Sequence, residues 1–443
     1  MTNACFPCAL VARARFHLRT DEDLWYAPKD LAWLCPLPHW LRDARVPRST
    51  IEPRPRPQRS SNREIQSHMT QGPAPASPPR APSVFLIPSL DGIRALAFLL
   101  VFLGHVGAPG IPGGFGVTVF FFLSGYLITT LLRLEVERTG HIDFKLFYLR
   151  RALRILPPFY LVLCTAIALV ALGLLAGPLE TASVLAQFLH YFNLWIIHHG
   201  FGGVPDGTGV YWSLAIEEHF YAIFPALYAL LLRAKLNGSK QRLVFLGICA
   251  AVLLWRCVLV FYFQASSNRT YLGTDTRCDC LLLGCALAVA GNPMLDVERT
   301  SQRPSNAFMA ALAVSSLVLL LSFVVRSDEF RETVRYSLQL GALYGFFYAA
   351  IRYPNWGVFR LFNVRPMRFL GKLSYSLYLV HQIVIGLAWR WLPFGGVARI
   401  ALEFAVSLGL AWSIWLLLEK PCAQLRKRLE IGRLEARPTP ASG

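Results

Sequence analysis

Charged residues are scarce in this sequence. They make up 16% of its 443 residues, whereas soluble domains usually carry about 25%. Hydrophobic residues reach 54% and the mean hydropathy is +0.43. From about residue 86 onward, apolar stretches recur that are long enough to cross a bilayer core, which takes roughly 20 residues of helix. The composition excludes an ordinary soluble enzyme and predicts a membrane protein.

Acidic residues are the rarer of the two charged classes. There are 26 Asp and Glu against 44 Lys and Arg, for a net charge of +18. A chain this basic could bind nucleic acid, but its basic residues alternate with the apolar stretches and do not gather in one soluble segment. Short basic loops of this kind orient membrane helices. We therefore expect contacts with membrane lipids and no nucleic-acid partner.

Metal-binding motifs and internal repeats are also missing. The ten cysteines are scattered, and Cys5 and Cys8 form a CxxC that lacks a second pair at zinc-like spacing. We expect no metal cofactor. No period of 20–50 residues indicates a solenoid, and the two halves lack the similarity that inverted-repeat transporters often show.

The N-terminal part differs from the rest of the chain. Residues 1–84 are rich in Pro and Arg and then in Gly, Ala and Pro, without helix or strand periodicity, which predicts disorder. They contain no signal peptide and no spanning stretch. One hypothesis is that translation starts at Met69, which would make residues 1–68 an over-extended reading frame. At the other end, residues 423–443 are predicted to form a basic cytoplasmic tail.

The apolar stretches predict an all-α polytopic fold with ten spans in residues 85–422. Segment 181–198 is also apolar. If it crossed, the basic loops would fall on both sides of the membrane, so we expect it to lie at the outer interface as an amphipathic segment. Both termini are then cytoplasmic, in the inner or plasma membrane. The predicted spans are 86–106, 115–133, 153–176, 211–232, 243–264, 278–291, 307–325, 334–351, 371–391 and 397–418.

Ionisable side chains within spans are costly and often functional, and the first predicted span has several. Asp91 and Arg94 are spaced to pair on one helix face. His105 follows Asp91 by 14 residues, about 21 Å along a helix, which places it in the outer half of the membrane. Its imidazole could be a buried hydrogen-bonding group or a general base acting on an acceptor hydroxyl.

Three arginines lie at the cytoplasmic end of the third predicted span. Arg151 and Arg154 share a helix face through their i, i+3 spacing. Such a pair could be an ordinary positive-inside anchor. It could also clamp an anion, since guanidinium groups bind phosphates bidentately and a nucleotide-bearing donor such as acyl-CoA has several. Spacing alone leaves both alternatives open.

Two adjacent carboxylates begin the fourth predicted span. Glu217 and Glu218 cannot share one helix face, so at least one of them is expected to point into the protein. There it could orient His105, as a carboxylate orients histidine in hydrolase triads. The alternative is a helix N-terminal carboxylate favoured by the dipole.

A looser polar set is expected to serve packing and internal pairing. Three members of this set lie where a helix begins at the outer face: Asp275, Arg277 and Asp279. The other three lie on the ninth predicted span: Tyr375, Tyr378 and His381.

Seven motifs occur in an order that resembles the acyltransferase-3 family of membrane-bound acyltransferases. Each motif alone is weak, but the ordered set is specific and covers residues 86–422. The resemblance implies a ten-helix fold that passes an acyl group, commonly acetyl, from cytoplasmic acyl-CoA to a hydroxyl. The acceptor is typically a cell-surface or exported glycan, a lipid-linked glycan or a related metabolite. The motifs are SLDGIRALAFLLVFLGH, GVTVFFFLSGYLITTLL, FYLRRALRILPPFYL, YWSLAIEEHFYAIFP, RCDCLLLGCALA, LGKLSYSLYLVHQ and LEKP.

The same resemblance implies roles for five residues. His105 matches the family's first-helix histidine and would be the catalytic base. Arg151 and Arg154 match its Arg-x-x-Arg pair and would bind the acyl-CoA donor. Glu217 and Glu218 match its Trp-Ser-Leu-x-x-Glu-Glu stretch and would be catalytic, without an indication of which one acts.

The resemblance leaves some points open. Ser124 and Tyr126 match a Ser-Gly-Tyr stretch expected to pack helices against Gly125. Tyr211 or Trp212 could donate to the oxyanion, and transfer could be direct or pass through an acyl-enzyme. A rival hypothesis is a transporter or flippase that uses the His and Glu residues as a proton relay.

Overall fold

The computed structural model of this protein describes residues 88–296 and 303–435. Every regular element in these two ranges is helical, which confirms the predicted all-α fold. The predicted extension 1–84, the proposed start at Met69 and residues 436–443 of the predicted tail lie outside the described residues. The α-helices are α1 Pro88–His105, α2 Gly113–Thr139, α3 Phe144–Ala171, α4 Thr181–Phe188, α5 Phe192–His199, α6 Trp212–Arg233, α7 Gly238–Cys257, α8 Ser267–Leu272, α9 Thr274–Val289, α10 Asn306–Val324, α11 Asp328–Glu332, α12 Val334–Arg352, α13 Arg365–Trp391, α14 Gly396–Ile414 and α15 Lys420–Glu435.

Six helical segments are long and apolar enough to cross a membrane, so the protein is a multi-pass membrane protein. All ten predicted spans coincide with helices. The remaining four fall on α1, α9, α12 and α13, and their crossing stays a prediction. The six segments are Gly113–Thr139, Phe144–Ala171, Gly209–Arg233, Gly238–Tyr262, Asn306–Val324 and Gly396–Leu429.

The segment predicted to lie at the interface is broken into two short helices. Helices α4 and α5 have 8 residues each, about 12 Å of helix, which is far less than the 30 Å of a hydrocarbon core. Between them, His190 adopts a φ of 56°, a left-handed conformation that ends a helix. Neither helix can cross a bilayer, in agreement with the prediction for 181–198.

The helices differ in how much of their surface the protein itself covers. In its most apolar stretch, α2 is 72% buried, whereas α10 is only 6% buried although its hydropathy is higher. Because exposed apolar side chains are favourable against lipid and unfavourable against water, α10 has the surface of a lipid-facing helix. Helix α2 lies at the centre of the bundle.

Two glycines allow α2 and α9 to cross at backbone contact. A Cβ on Gly125 would overlap the carbonyl oxygen of Leu281, and a Cβ on Gly284 would overlap that of Phe122. Small residues at helix crossings permit this close approach in membranes, where packing drives helix association. The expected packing role of the Ser-Gly-Tyr stretch is therefore confirmed at Gly125.

Helix α1 is held against α13 in the same way. A Cβ on Gly371 of α13 would overlap the carbonyl oxygen of Asp91, and a Cβ on Gly92 would overlap that of Phe362 in the short 3-10 helix Gly357–Asn363 that precedes α13. At the other end of α1, a Cβ on Gly104 would lie 2.8 Å from the Cα of Gly113. The position of α1 is thus fixed by contacts that no larger residue could make.

A fully buried ion pair connects α9 with two more helices, α7 and α12. Arg256 of α7 donates to Asp279 of α9 at 2.7 Å, and the two side chains are 0% and 1% exposed. The same guanidinium donates to the hydroxyl of Ser337 in α12 at 2.8 Å. Asp279 therefore serves internal pairing, as expected, and removing either charge would leave the other buried and unpaired.

The α2–α9 crossing predicts a large difference between two glycine substitutions. Gly125→Ala should destabilise the protein by about 1–3 kcal/mol or more, because the added methyl group forces two backbones apart. Gly247→Ala in α7 is the matched control, since nothing lies within 4 Å of its Cβ position. The measurement is the apparent Tm in detergent. Equal Tm values for the two variants would contradict the close crossing.

Candidate active site

Helix α1 has ionisable groups at two levels. Arg94 lies in its first part and pairs with Asp91 at 3.1 Å, as its spacing predicted. His105 is its last residue. His105 follows Arg94 by 11 residues, which separates the two positions by about 16 Å along the axis. One helix therefore contributes to two polar regions at different depths of the bundle.

The region at Arg94 is a cavity of about 100 Å³ with three arginines in its wall. Arg151 and Arg154 of α3 line it together with Arg94, as does Glu217 of α6. The i, i+3 pair therefore does face one cavity, and α1 adds a third cation that the sequence did not connect with it. Three guanidinium groups around one space form a site for an anion.

A short hydrogen-bond chain holds the carboxylate of Glu217. The Tyr221 hydroxyl donates to Glu217 at 3.1 Å and accepts from the Ser124 hydroxyl at 2.7 Å. The guanidinium of Arg151 lies over the Tyr221 ring, 5.3 Å from its centroid. Tyr221 thus connects the serine of the Ser-Gly-Tyr stretch with a cavity arginine and with Glu217.

Arg150 differs from its neighbours. Its guanidinium forms an ion pair with Glu135 of α2, and it is absent from the cavity wall. In the part of the chain that the structure describes, no carboxylate lies within ion-pair distance of Arg151 or Arg154. Arg151 and Arg154 are therefore available for a ligand, whereas Arg150 is used internally and Arg94 is paired with Asp91.

His105 faces a second cavity, of about 350 Å³. Its wall combines aromatic side chains with a few polar ones, a composition typical of small-molecule and sugar sites. The wall residues are Val101, His105, Gly113, Gly114, Val117, Phe201, Val204, Pro205, Asp206, Gly207, Gly209, Val210, Trp212, Tyr271, Tyr378 and Gln382.

The hydrogen bonds of His381 define the tautomer of His105. Nδ1 of His381 lies 2.8 Å from the carbonyl oxygen of Tyr378 and 3.2 Å from that of Leu377, so it carries a hydrogen. In a neutral ring the other nitrogen, Nε2, then accepts. It lies 3.0 Å from Nδ1 of His105, which must donate. Nε2 of His105 is left with a free lone pair.

His381 is itself firmly held. It is 0% exposed, and Phe98 packs edge-on against its ring at 5.7 Å and 89°. Its backbone acceptors lie one turn earlier on α13. The sequence assigned His381 to packing, but the structure places it against the candidate catalytic base.

The two cavities adjoin. Val117 and Tyr378 line both of them, and the Tyr378 hydroxyl is held between the Ser213 hydroxyl at 2.7 Å and the Val210 carbonyl at 3.1 Å. We call the cavity lined by Arg94, Arg151 and Arg154 the arginine cavity, and the one lined by His105 the histidine cavity. An extended ligand could therefore pass from one to the other beside Tyr378.

The two glutamates are placed differently from the expectation that one would orient His105. Glu217 lies with the arginines, and Glu218 is in the wall of neither cavity. Successive residues on a helix point about 100° apart, so both could not face one site. The hydrogen-bond partner of His105 is instead His381.

Other expected site features have internal partners. The Tyr211 hydroxyl donates to the carbonyl of Leu379 at 3.0 Å, which leaves Trp212 in the cavity wall as the remaining candidate oxyanion donor. Asp275 pairs with Arg269, and Tyr375 donates to the carbonyl of Ile155 at 2.8 Å. Within the described ranges, no cluster of three or more metal-ligating side chains occurs.

The family profile described as an acyltransferase domain matches residues 87–418. The chain belongs to the acyltransferase-3 family. The predicted membership is thereby confirmed over most of the chain. No solved structure matches it.

Curated relatives agree with this assignment. The chain is 30% identical over 347 residues to the peptidoglycan O-acetyltransferase OatA of Listeria monocytogenes, covering 76% of this chain and 55% of that protein. It is 33% identical over 356 residues to YrhL, a candidate peptidoglycan O-acetyltransferase of Bacillus subtilis, covering 76% and 54%. An O-acetyltransferase candidate of Staphylococcus aureus is 31% identical over 335 residues, covering 74% and 55%. The chain spans about half the length of these relatives.

Sequence reasoning missed several residues of this acyltransferase-3 site. Asp206 lies in a loop and Tyr271 in the short helix α8, and neither belongs to a motif, although both line the histidine cavity. Gln382 also lines it and is the last residue of the LGKLSYSLYLVHQ motif on α13, but nothing in the sequence indicated a role for it. The spacing of Arg94 to Asp91 predicted an ion pair between them, so nothing in the sequence indicated that Arg94 also lines the arginine cavity. The signal for His381 was its spacing to Tyr378 on one helix face, which alone does not distinguish catalysis from packing.

Proposed function

We propose that the protein is a membrane-bound O-acyltransferase that moves an acyl group, with acetyl the expected one, from cytoplasmic acyl-CoA to a hydroxyl of a cell-surface glycan. The observation that carries this proposal is the pair of adjoining cavities, one walled by three arginines and the other containing His105 with a free Nε2. A phosphate-bearing donor fits the first and a sugar hydroxyl the second. The names of the relatives favour peptidoglycan as the acceptor class.

Arg151 and Arg154, with Arg94, would bind phosphate groups of the donor. Guanidinium groups form bidentate hydrogen bonds to phosphate oxygens, about twice as strong as neutral ones. The acyl arm of the donor would extend past Tyr378 and Val117, which both cavities share. The thioester then reaches the histidine cavity while the nucleotide stays on the arginine side.

His105 would act as the general base. Its Nε2 takes the proton of the acceptor hydroxyl while the hydroxyl oxygen attacks the thioester carbonyl carbon. The C–S bond then breaks, the ester remains on the acceptor, and the imidazolium returns the proton to the leaving thiolate. Trp212 is the side chain of the wall suited to donate to the oxyanion.

His381 would be a positioning residue in this scheme. By accepting from Nδ1 of His105, it keeps the base in the tautomer whose Nε2 faces the acceptor and stabilises the imidazolium that forms. The sequence assigned that task to Glu217 or Glu218. Their catalytic role stays a prediction, and the position of Glu217 favours a part in donor binding.

Gln382 supports a hydroxyl-rich acceptor. Its Oε1 is buried and has no hydrogen-bond partner in the described part of the chain, although it belongs to the wall of the histidine cavity. A buried acceptor without a donor is costly, and a sugar hydroxyl would supply that donor. Trp212 and Phe201 add apolar faces for the sugar ring.

The donor assignment predicts a selective effect of Arg151→Gln. Loss of a charge-assisted phosphate contact should raise the KM for acetyl-CoA about ten- to hundredfold, with little effect on the KM for the glycan. Arg150→Gln is the matched control, since Arg150 pairs with Glu135 away from the cavity. Steady-state kinetics in nanodiscs measure both constants. Equal effects of the two substitutions would refute the clamp.

The base assignment predicts that His105→Ala lowers kcat for acetyl transfer about a hundred- to ten-thousandfold. His381→Ala should lower kcat about tenfold or more with KM nearly constant, and His381→Gln should recover part of it, since an amide oxygen can accept from Nδ1 of His105.

The control for both histidines is His141→Ala, because His141 is exposed and bonds only within its own turn. Transfer is followed as ester-linked acetyl on the glycan. Full activity of His105→Ala would exclude it as the base. A His381→Gln variant no better than His381→Ala would argue for a purely structural role of His381.

A further inference from the structure

A third cavity, also of about 350 Å³, adjoins the histidine cavity. Gly114 and Tyr271 line both, so these two residues form part of the wall of each cavity. The proposed chemistry does not use this third space. An acceptor longer than one sugar unit would extend beyond the histidine cavity, and the third cavity lies beside it.

The third cavity has two arginines in its wall, whereas the charged residue in the wall of the histidine cavity is Asp206. Three ionisable residues, Arg331, Glu332 and Arg335, come from α11 and the start of α12. Arg331 pairs with Asp328 at 3.3 Å, and Glu332 accepts from the Thr270 hydroxyl at 2.5 Å. Both therefore have partners of their own.

Arg335 has an aromatic neighbour, since its guanidinium lies 5.4 Å from the ring centroid of Tyr336. Among the described residues no carboxylate lies within ion-pair distance of it, and its Nε is buried without a hydrogen bond. Its position at the second residue of α12 is unfavourable for a cation, because the helix dipole places positive charge at the N-terminus. Helix stability does not explain an arginine there.

A second cation reinforces the positive potential. Arg277 is 0% exposed, and its Nε and one terminal nitrogen have no hydrogen-bond partner in the described ranges. Its guanidinium lies 4.3 Å from the ring centroid of Tyr336 and 5.2 Å from that of Tyr271, and both rings line the cavity. Since interactions at low dielectric are strong, this buried charge adds to the field of Arg335.

We propose that the third cavity is a second acceptor subsite, which binds a carboxylate-bearing sugar unit adjacent to the one acylated at His105, with Arg335 as the carboxylate ligand. The inference rests on the proposed acyltransferase function and extends it to an anionic glycan chain as the substrate class. A neutral glycan would leave the Arg335 guanidinium without a counter-charge. A carboxylate supplies one and accepts bidentate hydrogen bonds.

The test compares two tetrasaccharide acceptors on the protein in nanodiscs. One is a neutral β-1,4-linked N-acetylglucosamine tetramer, and the other alternates N-acetylglucosamine with N-acetylmuramic acid, which has a carboxylate. The wild type should acetylate the anionic tetramer with a kcat/KM about tenfold or more above that of the neutral one. Arg335→Gln should lose most of this preference while its kcat with the neutral tetramer is unchanged.

Two further variants control for charge and folding. Arg331→Gln removes a neighbouring arginine that already pairs with Asp328, and it should keep the preference. Arg335→Lys should keep part of it, since the charge remains but the bidentate geometry is lost. Equilibrium binding of each tetramer to the same variants gives a second readout that does not need turnover.

The outcomes separate the subsite from the proposed function. Transfer to both tetramers without preference, or a preference that Arg335→Gln leaves intact, overturns the subsite and leaves the acyltransferase proposal standing. No transfer to any glycan overturns the proposed function. In that case, tighter binding of the anionic tetramer that depends on Arg335 still supports the subsite, and its absence overturns it as well.

Discussion

The close approach of α1 to α13 is the contact on which the site depends. At one end, Gly371 of α13 contacts the backbone carbonyl of Asp91 so closely that only a glycine fits. At the other end, the same two helices bring Nδ1 of His105 to within 3.0 Å of Nε2 of His381. Because packing between backbones tolerates little displacement, this crossing holds the imidazole pair in register and also places Arg94 in the arginine cavity.

The same geometry separates two chemical tasks that acyl transfer has to combine. Phosphate binding needs several cations, which would perturb a neutral base if they lay beside it. Here the arginines and His105 occupy different cavities about 16 Å apart along α1. The two spaces meet at Val117 and Tyr378, so that with the proposed donor only an extended, uncharged acyl arm would have to pass. Binding energy from the distant phosphates of that donor would then position the thioester.

Hydropathy predicted the helices, and the i, i+3 spacing predicted that Arg151 and Arg154 share one helix face. Motif order indicated His105 as the candidate base, a role that stays a prediction. These features are local, since each depends on residues a few positions apart. The partner of His105 is 276 residues away, and no spacing rule connects such positions in a single sequence. Which of Glu217 and Glu218 faces the arginine cavity depends on the rotation of α6 about its axis, and only the structure shows that Glu217 lies in that wall.

The central claim is that donor and acceptor bind on opposite sides of one bundle and react within it. Proteoliposomes with acetyl-CoA sealed inside and a glycan acceptor outside test it most directly, with acetylation of the external glycan as the readout. The account predicts transfer in this arrangement for protein inserted with its arginine cavity toward the lumen. It predicts no transfer when both substrates are outside the same oriented vesicles. Transfer that requires donor and acceptor on the same side would contradict it.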